Sequence, residues 1–272
     1  MKLIEIQSLV AQFGAKSEIS NPSHHTVLWG VAPTGDIHIG YLPFIAILKE
    51  LKSKGIRVII FIGDFHAYFD DCKTEFGEIS DRNVYYREVF YKFGFQESEV
   101  ISANDIYLKS DYVNLLFKFS NYLPYSDLLE YAGVTLRHHS DKDYRFGDLL
   151  YVATQILDIE FFDVDLLLCG TDESGIYKLG LPILKRYSGR EVDYFYLKMF
   201  PGVISKEMHA SDDERNKISV HESLDSITMK LNNNTMLLDA VKDYLLPLFG
   251  FKNVNSLKCI SETLYKICHE SI

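Results

Sequence analysis

Short apolar runs alternate along the chain with longer segments of helical periodicity. Residues 26–32 form a β-rich run, and the helical pattern of residues 41–54 follows it and stops at Gly55. Residues 57–62 form a nearly continuous apolar run, as in a buried parallel strand, and a second helical pattern covers residues 75–93. This alternation predicts strands that are joined by helices and lie parallel in one sheet.

The second half of the chain repeats the alternation. Its patterns predict a helix, a buried strand, a helix and a strand over residues 146–162, 164–169, 174–187 and 192–198. A polar loop precedes three further helical patterns, at residues 222–231, 236–248 and about 254–269. We therefore predict an α/β fold, a Rossmann-like doubly wound parallel sheet with a helical insertion and a short helical C-terminal appendix.

Composition places the chain among ordinary globular proteins. Of its 272 residues, 47% are hydrophobic and 24% are charged, which argues against disorder. No apolar run reaches the ~20 residues that a membrane span needs, and the first residues show helical spacing rather than a signal-peptide core. We therefore expect a cytoplasmic protein without a membrane partner. The four cysteines form no CxxC pair and no metal-binding spacing with histidine, so no metal site is predicted.

The charge balance bears on nucleic-acid binding. The formal net charge is −10, whereas a protein that grips a phosphate backbone over a broad face usually carries a positive surface there. An acidic protein can still bind RNA through a local basic patch. The total charge therefore lowers the expectation of RNA binding without excluding it.

The strongest local motif is PTGDIHIGY, at residues 33–41, between a predicted strand and a predicted helix. Small residues let a backbone approach a phosphate, and a helix N-terminus offers free N–H groups. His38 stands where it could donate to negative charge that develops on a phosphate. The segment matches neither GxxxxGK[ST] nor GxGxxG. A glycine-rich turn with a surface histidine is the alternative interpretation.

A second cluster lies on the predicted helix 146–162. Tyr151, Gln155 and Asp158 are spaced i, i+4 and i+7, so they share one helix face, and apolar residues flank them. Because buried polar groups need partners, three of them on one buried stripe indicate a bound polar ligand. A solvated helix face is the alternative.

Three ordered segments resemble one known family. LWGVAPTGDIHIGY (residues 28–41) is similar to the HIGH signature of class I aminoacyl-tRNA synthetases, in the form seen in archaeal and eukaryotic tyrosyl-tRNA synthetases. IIFIGDFHAYFDD (59–71) resembles their ADLHAYL segment, and LLYVATQILDIEFFDVDLLLCGTDE (149–173) resembles their tyrosine pocket. The resemblance covers roughly residues 25–230. It implies a catalytic unit over residues 1–231 with an insertion at about 110–143, followed by a truncated helical region at 232–272.

The resemblance also implies roles for individual residues. The residues of this chain that would bind the substrate amino acid are Gly30, His66, Tyr151, Gln155, Asp158 and Glu173. By this resemblance, Tyr151 and Gln155 would hold the amino group of the substrate, and Asp158 would bind the hydroxyl of a tyrosine substrate. ATP with Mg²⁺ would bind at Gly35, His38, Gly40, Tyr41, Gly170, Asp172 and Met208, and the catalytic residues would be His38, Lys206 and Ser211.

The chain departs from the family pattern inside the pocket and in the mobile loop. Leu28 stands where the family has a tyrosine that also contacts the substrate hydroxyl, and Glu173 stands where it has a glutamine. In the loop that corresponds to KMSKS, the motif lysine falls on Glu207, and Lys206 is one residue out of register. A carboxylate facing a triphosphate is repulsive, so the loop is predicted to be degenerate and activation weakened.

Both expected tRNA-binding surfaces are depleted. Only about forty residues follow Leu231, and the insertion offers few basic residues, namely Lys118, Arg137 and Lys142. Three interpretations stay open: a tyrosine–tRNA ligase, a paralogue that activates an amino acid but passes it to a non-tRNA acceptor, and an inactive module that binds an amino acid or a nucleotide. The aromatic-rich segment 112–131 would leave an exposed apolar patch in a monomer, so we also expect a homodimer.

Overall fold

A computed structural model of the chain describes residues 16–18, 25–70, 73–135 and 144–270. The N-terminal helical spacing, Cys72, Arg137 and Lys142 therefore lie outside the described residues. Six strands form one sheet in the order β1–β6–β5–β2–β3–β4. The strands are β1 Lys16–Glu18, β2 Thr26–Val31, β3 Arg57–Ile62, β4 Val100–Ser102, β5 Leu166–Gly170 and β6 Asp193–Leu197.

The predicted parallel sheet is confirmed. Strands β2 to β6 pair in parallel, and β1 adds to the edge of β6 in the antiparallel direction. Along the chain the sheet grows from β2 through β3 to β4, then resumes on the other side of β2 with β5 and β6. The order therefore reverses between β2 and β5, which is where open α/β sheets bind ligands.

Helices cover both faces of the sheet. In chain order they are α1 Leu42–Ser53, α2 Asp64–Phe69, α3 Ile79–Lys92, α4 Ala103–Ile106, α5 Ser110–Ser120, α6 Tyr125–Thr135, α7 Phe146–Phe161, α8 Ser174–Ser188, α9 Leu224–Asn232, α10 Thr235–Ala240, α11 Leu246–Leu248 and α12 Leu257–His269. No helix in the described ranges is long and apolar enough to cross a membrane. The described part of the predicted insertion, residues 110–135, contains α5 and α6.

Strand alternation divides the core into two apolar layers. Odd-numbered residues of β2, such as Val27 and Trp29, belong to one buried cluster, and Leu28 belongs to the other. The C-terminal helices pack into the first cluster through residues such as Leu231 and Leu264. The predicted C-terminal appendix thus shares a core with the sheet. The second cluster holds α5, α7 and α8, and it surrounds the inner cavity described below.

Candidate active site

The carboxyl ends of the parallel strands meet around one cleft with a volume of about 450 Å³. A volume of this size suits a small-molecule or nucleotide site. Residues at or just after the ends of β2, β5 and β6 form part of its walls: Thr34, His38, Gly40, Tyr41, Gly170, Asp172, Lys198, Met199 and Phe200. A smaller inner cavity shares Gly30, Tyr151 and Glu173 with the cleft, so the two are adjacent.

The turn that follows β2 is fixed by side chains from other parts of the fold. The hydroxyl of Tyr86 donates to the carbonyl of Gly35 at 2.8 Å, and the hydroxyl of Thr74 donates to the carbonyl of Pro33 at 2.8 Å. Tyr85 accepts a hydrogen bond from the amide of Ile37 at 3.1 Å. The turn is therefore preorganised, as a site that stabilises developing charge requires.

His38 lies in this turn as a neutral donor. Its Nδ1 accepts a hydrogen bond from the amide of Gly40 at 3.1 Å, so the ring proton sits on Nε2. Burial, together with the nearby charges of Lys217 and His209, lowers the pKa of His38 to about 3. A Cβ on residue 40 would lie 2.8 Å from the imidazole, so only glycine leaves this ring its place.

The polar loop after β6 closes over the turn. A Cβ on residue 35 would lie 1.9 Å from the carbonyl oxygen of Ala210, so Gly35 permits the close approach of turn and loop. The buried ammonium of Lys217 donates to that same carbonyl at 2.7 Å. His38 and Ser219 also form an antiparallel β-bridge, which joins the end of the loop to the turn.

The lysines of the cleft differ from those that the sequence motif suggests. Met208, His209 and Ser211 line the cleft, whereas Lys206 is exposed and Glu207 is half-buried, and neither is among the residues that line it. The lysines that line it are Lys73 and Lys198. Lys73 forms an ion pair with Asp70 at 2.6 Å.

One end of the inner cavity is built to accept hydrogen-bond donors. The Nε2 of Gln155 donates to Glu173 Oε1 and to the hydroxyl of Tyr177, each at 3.0 Å. The Oε1 of Gln155 is buried and has no hydrogen-bond partner within the described part of the chain. Burial and the neighbouring charge of Asp172 raise the pKa of Glu173 to about 8. An orphan oxygen beside a carboxyl group is a good place for an ammonium.

The other end of the inner cavity is formed by Asp158, which faces the space bounded by Leu28 and His66. Its Oδ2 accepts from the hydroxyl of Tyr107 at 2.8 Å, and its Oδ1 accepts from the hydroxyl of Tyr112 at 2.7 Å. Burial raises the pKa of Asp158 to about 8, although the two tyrosine hydrogen bonds act in the opposite direction.

His66 forms part of the wall between these two ends. Its ring is perpendicular to that of Tyr151, with the ring centres 5.0 Å apart. Its Nε2 lies 3.1 Å from the hydroxyl of Thr154 and 3.4 Å from that of Tyr107. Burial lowers the pKa of His66 to about 4, so the ring is neutral near pH 7.

The structure thus brings together most of the residues that the sequence singled out. Several residues of the site have no place in the sequence prediction: Lys73, Lys198, Tyr107, Tyr112, Thr154 and Tyr177. Lys198 follows directly after β6, and its position at the carboxyl end of a predicted parallel strand is a signal that could have found it. Tyr107 and Tyr112 lie on separate helical segments, and no local spacing connects them to Asp158.

These features define an α/β domain with a nucleotide-sized cleft beside a cavity suited to an amine. The sequence profile described as "tRNA synthetases class I (W and Y)" matches residues 20–268. The chain belongs to this family of class I synthetases.

Individual relatives agree with this assignment. The chain is 28% identical over 221 residues to a tyrosine–tRNA ligase of Haloarcula marismortui, covering 79% of this chain and 62% of that relative. It is 26% identical over 232 residues to the Archaeoglobus fulgidus enzyme of the same name, covering 81% of this chain and 70% of that one. The chain therefore spans less than two thirds of the length of the Haloarcula relative.

Solved structures share the fold. The tyrosyl-tRNA synthetase of Archaeoglobus fulgidus, complexed with L-tyrosine, superposes with a TM-score of 0.71 at 22% identity and covers 97% of this chain and 86% of that one. The tryptophanyl-tRNA synthetase of Aeropyrum pernix K1 gives a TM-score of 0.69 at 15% identity and covers 98% and 91%. At these identities the likeness concerns the fold alone.

Proposed function

We propose that this chain activates an amino acid, tyrosine or a related aromatic one, with ATP to form an aminoacyl-adenylate. The observation that carries this proposal is the buried, unpartnered oxygen of Gln155 beside Glu173. These groups would hold the substrate ammonium together with Tyr151, and the cavity they line adjoins the cleft that contains His38. An amine site next to a phosphate site fits amino-acid activation.

In the proposed reaction, the amino-acid carboxylate attacks the α-phosphorus of ATP. A mixed anhydride forms between carboxylate and phosphate, and the bond to pyrophosphate breaks. His38 Nε2–H would donate to an α-phosphate oxygen, on which charge accumulates in the transition state. Because His38 is neutral and held by Gly40, it would act as a fixed hydrogen-bond donor rather than as an acid.

The leaving pyrophosphate needs cations beside it. Lys198 lines the cleft and would supply one positive charge, and His209 and Ser211 lie in the loop above the turn. Lys206 would have to move to reach the cleft. We expect Mg²⁺ to arrive bound to the triphosphate, since its preferred ligands include substrate phosphates.

A pyrophosphate-exchange assay across the twenty amino acids tests the proposal. Tyrosine or a related aromatic amino acid should stimulate the incorporation of labelled pyrophosphate into ATP. ATP binding without exchange for any amino acid would contradict the proposal and favour an inactive binding module.

We further propose tRNA as the acyl acceptor, as the names of the relatives state for those proteins. The depleted basic surface of the insertion favours the alternative of a non-tRNA acceptor. A charging assay with total tRNA separates the two, because only a ligase would attach the labelled amino acid to RNA. A Saccharomyces cerevisiae relative, 24% identical over 216 residues, is called cytoplasmic, and we propose that compartment here as well.

A further inference from the structure

The inner cavity is too small for an aromatic ring. Its volume is about 30 Å³. A water molecule needs roughly 10–15 Å³ measured in this way, and an engineered cavity of about 150 Å³ binds benzene. The cavity in its present shape therefore has room for two or three non-hydrogen atoms. A tyrosine side chain would enter only if a wall moved.

The chain's own tyrosines fill the region around Asp158. The rings of Tyr107 and Tyr112 stack with their centres 4.4 Å apart and with an interplanar angle of 19°. Each hydroxyl donates to a different oxygen of Asp158. The hydroxyl of an incoming substrate would therefore meet a carboxyl group whose two oxygens already accept hydrogen bonds from phenols.

Tyr107 is the member of this pair that touches the cavity wall at several points. Its hydroxyl contacts both Asp158 and His66, and its ring centre lies 6.0 Å from that of Phe61. All three of these residues line the cavity. Tyr112 reaches only Asp158 among them, and its ring packs against Phe161 at 5.1 Å. Tyr107 thus packs directly behind three residues of the cavity wall, and its displacement would allow that wall to move outward.

Because Leu28 has no hydroxyl, the hydrogen bonds to Asp158 must come from other residues. Leu28 lines the same cavity and has no hydroxyl. In this chain the phenols that contact Asp158 come instead from Tyr107, at the end of α4, and from Tyr112, on α5. The hydrogen bonds to Asp158 at this end of the cavity thus come from the segment of α4 and α5 rather than from β2.

We propose that Tyr107 controls which side chain the pocket accepts. Its ring supports the wall residues that leave no room for an aromatic substrate, and its hydroxyl holds the Asp158 oxygen that a substrate hydroxyl would use. A para-hydroxylated aromatic amino acid enters only when Tyr107 moves aside. This inference rests on the proposed amino-acid site, and it assigns to Tyr107 the selection of the side chain.

Two substitutions separate the two effects of Tyr107. Tyr107→Ala removes both ring and hydroxyl, whereas the matched control Tyr107→Phe keeps the ring and removes only the hydroxyl. The affinity of L-tyrosine, measured by calorimetry, should rise by about tenfold to about a hundredfold in Tyr107→Ala, the gain expected from burying an aromatic side chain. Tyr107→Phe should stay close to the wild type, because its ring still supports the wall of the cavity. L-Alanine, which needs no ring space, should bind equally to all three.

A second probe makes the test independent of the proposed function. p-Cresol, the side chain of tyrosine without its amino acid backbone, should raise the melting temperature of Tyr107→Ala and leave that of the wild type unchanged. If Tyr107→Ala binds p-cresol while no variant binds any amino acid, the pocket assignment stands and the proposed function fails. If the wild type binds tyrosine as tightly as Tyr107→Ala, the inference about Tyr107 is overturned. Tyr107→Leu, which keeps an apolar side chain at this buried position, serves the same tests if the alanine variant does not fold.

Discussion

Replacing Glu173 by glutamine should change the pH dependence of amino-acid binding. The Glu173 carboxyl group lies beside the orphan oxygen of Gln155, and burial together with Asp172 raises its pKa to about 8. Near pH 7 most Glu173 side chains therefore carry a proton and cannot pair with an ammonium. Glu173→Gln removes this titration and keeps the side chain's length and hydrogen-bonding capacity.

The expected magnitude follows from the pKa. Below pH 8 the ionised fraction of Glu173 falls about tenfold per pH unit, which corresponds to about 1.4 kcal/mol of binding free energy per unit at most. The affinity of the wild type for L-tyrosine should thus rise by up to about a hundredfold from pH 6 to pH 8. The affinity of Glu173→Gln should vary much less over this range.

Calorimetric titration with L-tyrosine between pH 6 and pH 8 tests this expectation. Burial raises the pKa of Asp158 as well, but its titration is common to both proteins and cancels in their comparison. Burial lowers the pKa of His66 to about 4, which lies outside this pH range. Equal pH slopes for the wild type and Glu173→Gln would refute the reasoning, because they would show that Glu173 does not face the ammonium.

Thermal stability gives a second comparison between the wild type and Glu173→Gln. The folded-state pKa of Glu173 lies above its unfolded value, so the folded protein holds this proton more tightly. The contribution of Glu173 to stability is therefore present below about pH 4 and falls as the pH rises to 8. Glu173→Gln should gain melting temperature relative to the wild type between pH 5 and pH 8. A constant difference between the two melting temperatures would contradict the raised pKa.

Four further predictions concern catalysis and assembly. His38→Ala should slow adenylate formation by one to three orders of magnitude, about 1.4–4 kcal/mol, with little effect on amino-acid binding in calorimetry. An active wild type that is unaffected by His38→Ala would mean that the nucleotide lies elsewhere. Glu207→Lys should raise the pyrophosphate-exchange rate, and Lys198→Met should raise the KM for ATP by about threefold to tenfold, whereas the exposed Lys206→Met should change it less. An equal effect of the two lysine changes would contradict the assignment of Lys198. Light scattering at micromolar concentration should give a dimer that Phe117→Asp dissociates, since Phe117 is 70% exposed on α5; a monomeric mass for the wild type would count against the dimer.

The sheet could be predicted because its strands are short apolar runs between amphipathic helices. The predicted strand at residues 57–62 coincides with β3, and the predicted helix at 41–54 with α1. The pattern of the insertion was less informative because its aromatic residues occur on both faces of the helices. On α5, Tyr112 and Phe119 are buried, while Phe117 is exposed. Periodicity alone cannot tell an aromatic residue of the core from one of the surface.

One C-terminal helix is interrupted although its apolar pattern in the sequence is continuous. The predicted helix at 236–248 is interrupted by a π-helical segment, Val241–Leu245, which ends shortly before Pro247. Proline cannot donate the helical hydrogen bond, and a wider turn is one way in which a helix adapts to it. A sequence pattern reports which face is apolar but not this change in backbone geometry.

For the site, the sequence identified the helix face of Tyr151, Gln155 and Asp158, because all three belong to one regular element. It could not give the size of the cavity, which depends on where rings from α4, α5 and β3 meet. The sequence also could not predict which residues of the polar loop after β6 face the cleft. The loop position is set by the contact of Gly35 with Ala210 and by the ammonium of Lys217, and Gly35 is far in the sequence from the other two.

The two sides of α5 have a consequence for measurement. On the inner side of this helix, the hydroxyl of Tyr112 donates a hydrogen bond to Asp158. On its outer side, Phe117 is exposed to solvent. If a second copy of the chain covers that outer side, any shift of α5 upon pairing is felt by the carboxyl group in the pocket. Linkage then requires the reverse as well, so a bound amino acid would change the dimer dissociation constant by the same factor. An amino-acid affinity determined at one protein concentration would therefore not hold at another, and titrations over a range of concentrations would reveal both equilibria together.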